Sequence, residues 1–166
     1  KAAGVDLADK ISKIVAHEKE LEKKVADLER RLVEGGGPGG GGGGVDAMMA
    51  EAKEIGGIRV LARRMPDGTQ AAVLREIGEK LRDKLGDHSV VLVGAVAADK
   101  AQLCVMVSKA ATAKVKAGDL IKAVAKIVGG SGGGRPDMAQ AGGTEVGKID
   151  EAIVATYSEV AKIAGN

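Results

Sequence analysis

The sequence has no phenylalanine and no tryptophan, and Tyr157 is its single aromatic residue. Stacking bases on aromatic platforms, the usual device of single-strand RNA binders, is therefore excluded. The core must be built from Val, Ile, Leu, Met and Ala. One cysteine, Cys104, cannot form an internal disulfide, which fits a cytoplasmic protein. No apolar run approaches the ~20 residues that span a membrane, and no secretory signal is visible. There is no initiator methionine, so the chain beginning at Lys1 is expected to be a piece of something longer. A marked charge excess is missing too: 25 Lys and Arg against 23 Asp and Glu leave +2, far from a dedicated nucleic-acid binder.

Catalytic and metal chemistry are equally sparse. His17, His88 and Cys104 are dispersed along the chain, whereas a zinc site needs three or four convergent ligands. Cys104 reads as a small core residue of a strand, His17 as part of a charged helix face, and His88 as a turn residue. Ser108 has no neighbouring histidine and no nucleophile-elbow context. Composition describes a soluble cytosolic α/β protein and no function.

Glycine, by contrast, is abundant, and it divides the chain. Nine of the 26 glycines lie in Gly35–Gly44, broken only by Pro38. A run of that kind is a flexible coil whose ends lie roughly 15–20 Å apart. Residues 1–34 form one segment before it. There Leu7, Ile11, Ile14, Glu18, Leu21, Val25, Leu28 and Leu32 alternate spacings of four and three, a heptad seam with one polar slot. A helix over 5–34 would be about 45 Å long. Its apolar stripe needs a partner, either an upstream helix of a longer protein or a second copy in a homodimer.

Residues 45–166 read as the globular part. Val45–Ile55 is expected to be a short helix with Asp46 as N-cap, followed by a strand Ile58–Met65 and the turn Pro66-Asp67-Gly68. Gln70–Leu85 is amphipathic and stops at Gly86. Ser89–Ala97 and Ala101–Val107 flank Ala98-Asp99-Lys100 as a hairpin; the unbroken apolar run of the first marks a strand buried on both faces. Amphipathic helices follow over Lys114–Val128 and Lys148–Ile163. The expected fold class is α/β: a long N-terminal helix joined by the glycine linker to a small mixed β-sheet covered by helices.

Between the last two helices, residues 129–143 hold seven glycines in fifteen positions, and read as a loop. Unlike the first glycine run, this one is studded with specific residues. Glycines let backbone approach a ligand, and successive N–H groups form anion-binding concavities. Arg135 supplies a planar fork for phosphate or a base edge, Asp137 can orient it, Pro136 stiffens the turn and Gln140 adds an amide. The segment follows a helix and lacks the Gly-Lys-Ser/Thr ending, so it is neither a Walker loop nor a dinucleotide fingerprint. Local charge agrees, since residues 100–148 carry eight basic against three acidic side chains.

Residues 132–143, Gly-Gly-Gly-Arg-Pro-Asp-Met-Ala-Gln-Ala-Gly-Gly, resemble the signature near the C-terminus of alanyl-tRNA synthetases. Val107-Ser108-Lys109 and Val115-Lys116-Ala117-Gly118-Asp119-Leu120-Ile121 are similar to the family's lead-in to it. The resemblance covers about residues 45–166 and implies a DHHA1-type, C-Ala module: a non-catalytic appendage of an ATP-dependent class II synthetase. It further implies tRNA(Ala) as partner, gripped at its outer corner, together with upstream aminoacylation and editing domains. ATP and zinc would belong to those upstream domains, with no cofactor in this chain and no membrane contact.

Without aromatics, RNA contact must rest on charge and shape. Gly132, Gly133, Gly134, Arg135 and Gln140 are the expected contact residues, with Lys109, Lys114 and Lys116 as phosphate partners. Arg63 and Arg64 point to opposite strand faces, so at most one joins them. Two other readings fit the sequence. One is the C-terminal part of a DHH-type phosphoesterase, although that family usually has histidine where Arg135 stands. The other is a dimerisation module.

Overall fold

The computed structural model describes residues 15–20, 23–24 and 48–165. Residues 15–20 and 23–24 are helical, and Glu20 pairs with Lys24 at 2.8 Å, one helical turn on. The remaining seam positions, the Gly35–Gly44 run and the Asp46 cap lie outside the described residues.

The globular part is built on one six-stranded sheet. Its strands are β1 (Lys53–Ile55), β2 (Ile58–Arg64), β3 (Ser89–Ala97), β4 (Lys100–Val107), β5 (Gly130–Gly134) and β6 (Met138–Gly143), in spatial order β1-β2-β3-β4-β6-β5. The pair β2–β3 is parallel and the other four pairs are antiparallel, so the sheet is mixed as expected. The helices are α1 (Ala71–Leu85), α2 (Ala117–Ile127) and α3 (Ile149–Ala164).

Three local expectations are corrected. The helix over Val45–Ile55 does not form: among its described residues only Met48 and Met49 are helical, and Lys53–Ile55 is strand β1. The reason is Gly56-Gly57, with φ of +58° and +78°. Two successive left-handed residues make the two-residue hairpin turn whose twist matches paired strands. The β3–β4 turn is also tighter than read, since Lys100 already pairs with Ala97. Ala98 and Asp99 make it alone, at φ of +49° and +56°, a conformation that costs residues with a Cβ. Lastly, α2 begins at Ala117, not Lys114, after a short 3-10 turn at Ala111–Ala113.

Helices cover both faces. Against one face lies α1, whose Leu74, Ile77 and Leu81 pack on Leu61, Val91, Val93, Cys104 and Met106. Against the other lie α2 and α3, through Leu120, Ile121, Val124, Ile149 and Ile153 on Val60, Leu92, Leu103 and Val105. Strand β3 is buried over almost its whole length, as its apolar run predicts. The two faces are not covered equally, because α1 packs chiefly over β3 and β4, and of β6 and β5 only Met138 joins its core cluster.

Tyr157 is structural. Strand β1 reaches only as far as the Lys53–Val60 pair, leaving the outer edge of β2 open at Ala62. The Tyr157 hydroxyl fills that gap: it accepts from the Ala62 N–H at 3.1 Å and donates to the Ala62 carbonyl at 3.3 Å. The Lys53 ammonium sits 4.8 Å from the ring centre. One phenol thus replaces a missing strand residue.

Candidate nucleic-acid interface

The glycine-rich segment 129–143 is not a loop. It is a β-hairpin, β5 and β6, closed by Arg135-Pro136-Asp137. Glycine is a poor strand former, so propensity hid the strands. Space explains the glycines instead. A Cβ on Gly130, Gly132 or Gly134 would stand 1.9, 2.3 and 2.3 Å from atoms of β6. These alternate positions pair with Gly143, Ala141 and Ala139, on the face where α2 lies close. Gly133, one residue out of phase, has open space where its Cβ would be.

The closing turn is fastened on two sides. The Ala117 N–H, at the start of α2, donates to the Pro136 carbonyl at 2.9 Å, and the Val107 N–H donates to the Asp137 carbonyl at 2.8 Å. Register places this turn at the sheet end where β4 finishes, because Met106 pairs with Met138 and Val107 with Val90. Arg135, Lys116 and Lys109 therefore share one end of the molecule, and all three are exposed. The Arg135 guanidinium is 72% exposed, with Nε 3.4 Å from the Asp137 carboxylate, the orienting partner expected from the sequence. Lys116 caps α2 without a side-chain hydrogen bond.

The other expected contacts separate. Lys114 is turned toward the opposite sheet edge, its Nζ 3.3 Å from the Gly56 carbonyl in the β1–β2 turn. Gln140 lies further along β6, on the face that carries α1, opposite Cys104 and Gly133. Its amide donates to the Cys104 sulfur at 3.9 Å. Burial pushes that thiol from its usual 9.0 up to about 11, against a smaller opposing effect of the Gln140 hydrogen bond. Cys104 is thus an inert, fully buried core residue.

Neither arginine of β2 reaches this end free. Arg63 pairs with Glu51 at 2.7 Å. Arg64 bridges Asp67 and Asp150 at 3.0 and 2.6 Å, which holds its guanidinium above the ordinary value, chiefly through the Asp67 hydrogen bond. Beside Lys109 a cleft of about 350 Å³ is lined by Arg82 and by Asp83, Asp87 and Asp137. Asp83 and Asp87, which the Arg135–Lys116 side lacks, leave that side as the better phosphate-facing surface. Ser108 is occupied structurally, its Oγ accepting from the Ser89 N–H at 2.9 Å. Among the described residues no three His, Cys, Asp or Glu side chains are grouped to hold a metal.

The DHHA1 domain family model matches residues 57–162. The chain belongs to the DHHA1 family. It is 68% identical over 162 residues to the alanine–tRNA ligase of Sorangium cellulosum, a match covering 96% of this chain and 18% of that protein. The corresponding enzyme of Anaeromyxobacter dehalogenans is 47% identical over 132 residues, 80% of this chain and 14% of the ligase. Among solved structures, the C-Ala domain of Aquifex aeolicus alanyl-tRNA synthetase superposes with a TM-score of 0.62 at 28% identity, covering 67% of this chain and 98% of that one. The resemblance carried by residues 132–143 is borne out, and this DHHA1 chain has the C-Ala fold. It spans less than a fifth of the ligases it matches.

The sequence reading missed one feature of this DHHA1 domain. On the α1 side of β5 and β6 lies a groove of about 370 Å³ whose lining includes Gln102, Gln140, Ser131 and Gly142. Its one legible signal was Gln102, a polar residue interrupting the apolar strand β4.

Proposed function

We propose that this chain is the tRNA-binding C-terminal appendage of an alanyl-tRNA synthetase. One observation carries the reading: in a chain of this family, Arg135, Lys116 and Lys109 are gathered at one sheet end by a turn that α2 and β4 both fasten. A rigid cationic edge without aromatic platforms suits a folded RNA surface better than a flexible single strand. The outer corner of tRNA is such a surface. In this reading the aminoacylation and editing domains, with their ATP and zinc, belong to the rest of the enzyme, and this chain works in the cytoplasm without a cofactor. No described helix is long and apolar enough to cross a membrane.

The test is affinity for folded alanine tRNA in wild type and in Arg135→Ala. The variant should bind several-fold more weakly with an unchanged circular dichroism spectrum. Equal affinity would remove the hairpin turn from the contact. Self-association through the heptad segment is a separate reading, and the dependence of solution mass on concentration decides it.

A further inference from the structure

The groove beside α1 holds an unusual pair of amides. Gln102 Oε1 is buried and has no hydrogen-bond partner, the one such side-chain atom among the described residues. Gln140 Nε2 has only the weak sulfur acceptor of Cys104, at 3.9 Å. Gln102 pairs with Gly142 and Cys104 with Gln140, so the two glutamines are diagonal neighbours on the same face of β4 and β6. An acceptor lacking a donor and a donor lacking a good acceptor therefore stand side by side. Ser131 and Gly142 line the groove on the same face, and a Cβ on neighbouring Gly133 would meet nothing within 4 Å. The volume, about 370 Å³, lies in the range of small-molecule clefts.

We propose that this groove is a subsite for one unstacked nucleobase whose Watson–Crick edge carries an exocyclic amine beside a ring-nitrogen acceptor, which is adenine or cytosine and not guanine, whose ring nitrogen on that edge is a donor. The amine donates to Gln102 Oε1, and Gln140 Nε2 donates to the ring nitrogen. Leu74 and Ala71 of α1 supply an apolar wall, and exposed Lys100 stands at the rim for the attached phosphate. The pairing resembles the way glutamine reads adenine at a base edge. This inference rests on the RNA-binding reading above and adds a base-reading site to its charged sheet end.

Two-dimensional NMR of the 166-residue chain, titrated with the four nucleoside 5′-monophosphates, tests it through the side-chain amide signals of Gln102 and Gln140. Adenosine or cytidine monophosphate should shift both signals saturably, and the uridine and guanosine compounds should not. Gln102→Leu should abolish the shift and weaken whole-tRNA binding about five-fold, the loss of one hydrogen bond, with the salt slope unchanged. Gln140→Ala serves as the second variant, and melting temperature checks that both fold. The proposal is overturned if no nucleotide moves the amides, if all four move them equally, or if the wild type binds tRNA and both variants bind it equally well. Amides that respond to nucleotide in a chain that ignores tRNA would support the subsite and sink the RNA-binding reading. Arg135-dependent tRNA binding with silent amides would do the reverse.

Discussion

Ala117 and Pro136 are joined backbone to backbone, the Ala117 N–H donating to the Pro136 carbonyl at 2.9 Å. That bond ties the first turn of α2 to the tip of the β5–β6 hairpin. It sets Lys116 and Arg135 beside one another though they are nineteen positions apart in the sequence. The cationic edge is therefore a property of packing, and of neither segment alone.

The three lysines of the lead-in segment should not be equivalent. Lys116→Ala and Lys109→Ala should each lower the slope of log affinity against log salt by about one. Lys114→Ala should change it less, because its ammonium is held at the Gly56 carbonyl on the far sheet edge. Fluorescence titrations of tRNA at several salt concentrations distinguish the variants. Equal slopes for all three would mean that the register at this sheet end does not control the contact.

Neighbouring glycines of β5 should respond in opposite ways. A Cβ on Gly132 would lie 2.3 Å from the Ala141 Cβ and 2.5 Å from the Gln140 carbonyl, whereas one on Gly133 meets nothing within 4 Å. Gly132→Ala should cost about 1–3 kcal/mol as overpacking. Gly133→Ala should be neutral, or stabilising by about 0.5 kcal/mol through the unfolded chain. Urea unfolding of the two variants reads the contrast, and equal costs would contradict the strand geometry.

Most of the fold was legible because its signals were local. The α1 stop at Gly86, the buried strand β3 and the amphipathic face of α2 each follow from residues a few positions apart. The two missed strand regions share a cause. Gly56-Gly57 and Gly130–Gly134 contain no apolar periodicity, so what they do depends on the segments packed against them. The site divided the same way: Arg135 and its partner Asp137 were visible as a motif, whereas the separation of Gln140 and Lys114 from it required the register of β6 and the path of residues 108–116 across the sheet end.

Removing one oxygen from Tyr157 should be felt. Tyr157→Phe leaves the Ala62 N–H and carbonyl, now held at 3.1 and 3.3 Å, without the hydroxyl. The expected loss is about 1–2 kcal/mol, measured by urea unfolding, with RNA affinity unchanged. An unaltered stability would mean that solvent replaces the phenol at no cost.

The Cys104 thiol gives a pH signature. Its value is raised in the folded chain from 9.0 to about 11 by burial. The stability it contributes is therefore whole below pH 9 and lost as pH rises toward 11, because the unfolded chain ionises first. Two units correspond to roughly 2–3 kcal/mol. The stability difference between wild type and Cys104→Ala should shrink by about that amount across this interval. A constant difference would show that the thiol is not desolvated.

The central claim, that this domain grips a folded tRNA surface, is tested most directly by titrating the chain with whole tRNA, an acceptor-stem minihelix lacking the corner, and single-stranded DNA, each across salt. The account predicts tight, salt-dependent binding to whole tRNA and weak binding to the other two. Equal binding to all three, or binding to none, would contradict it.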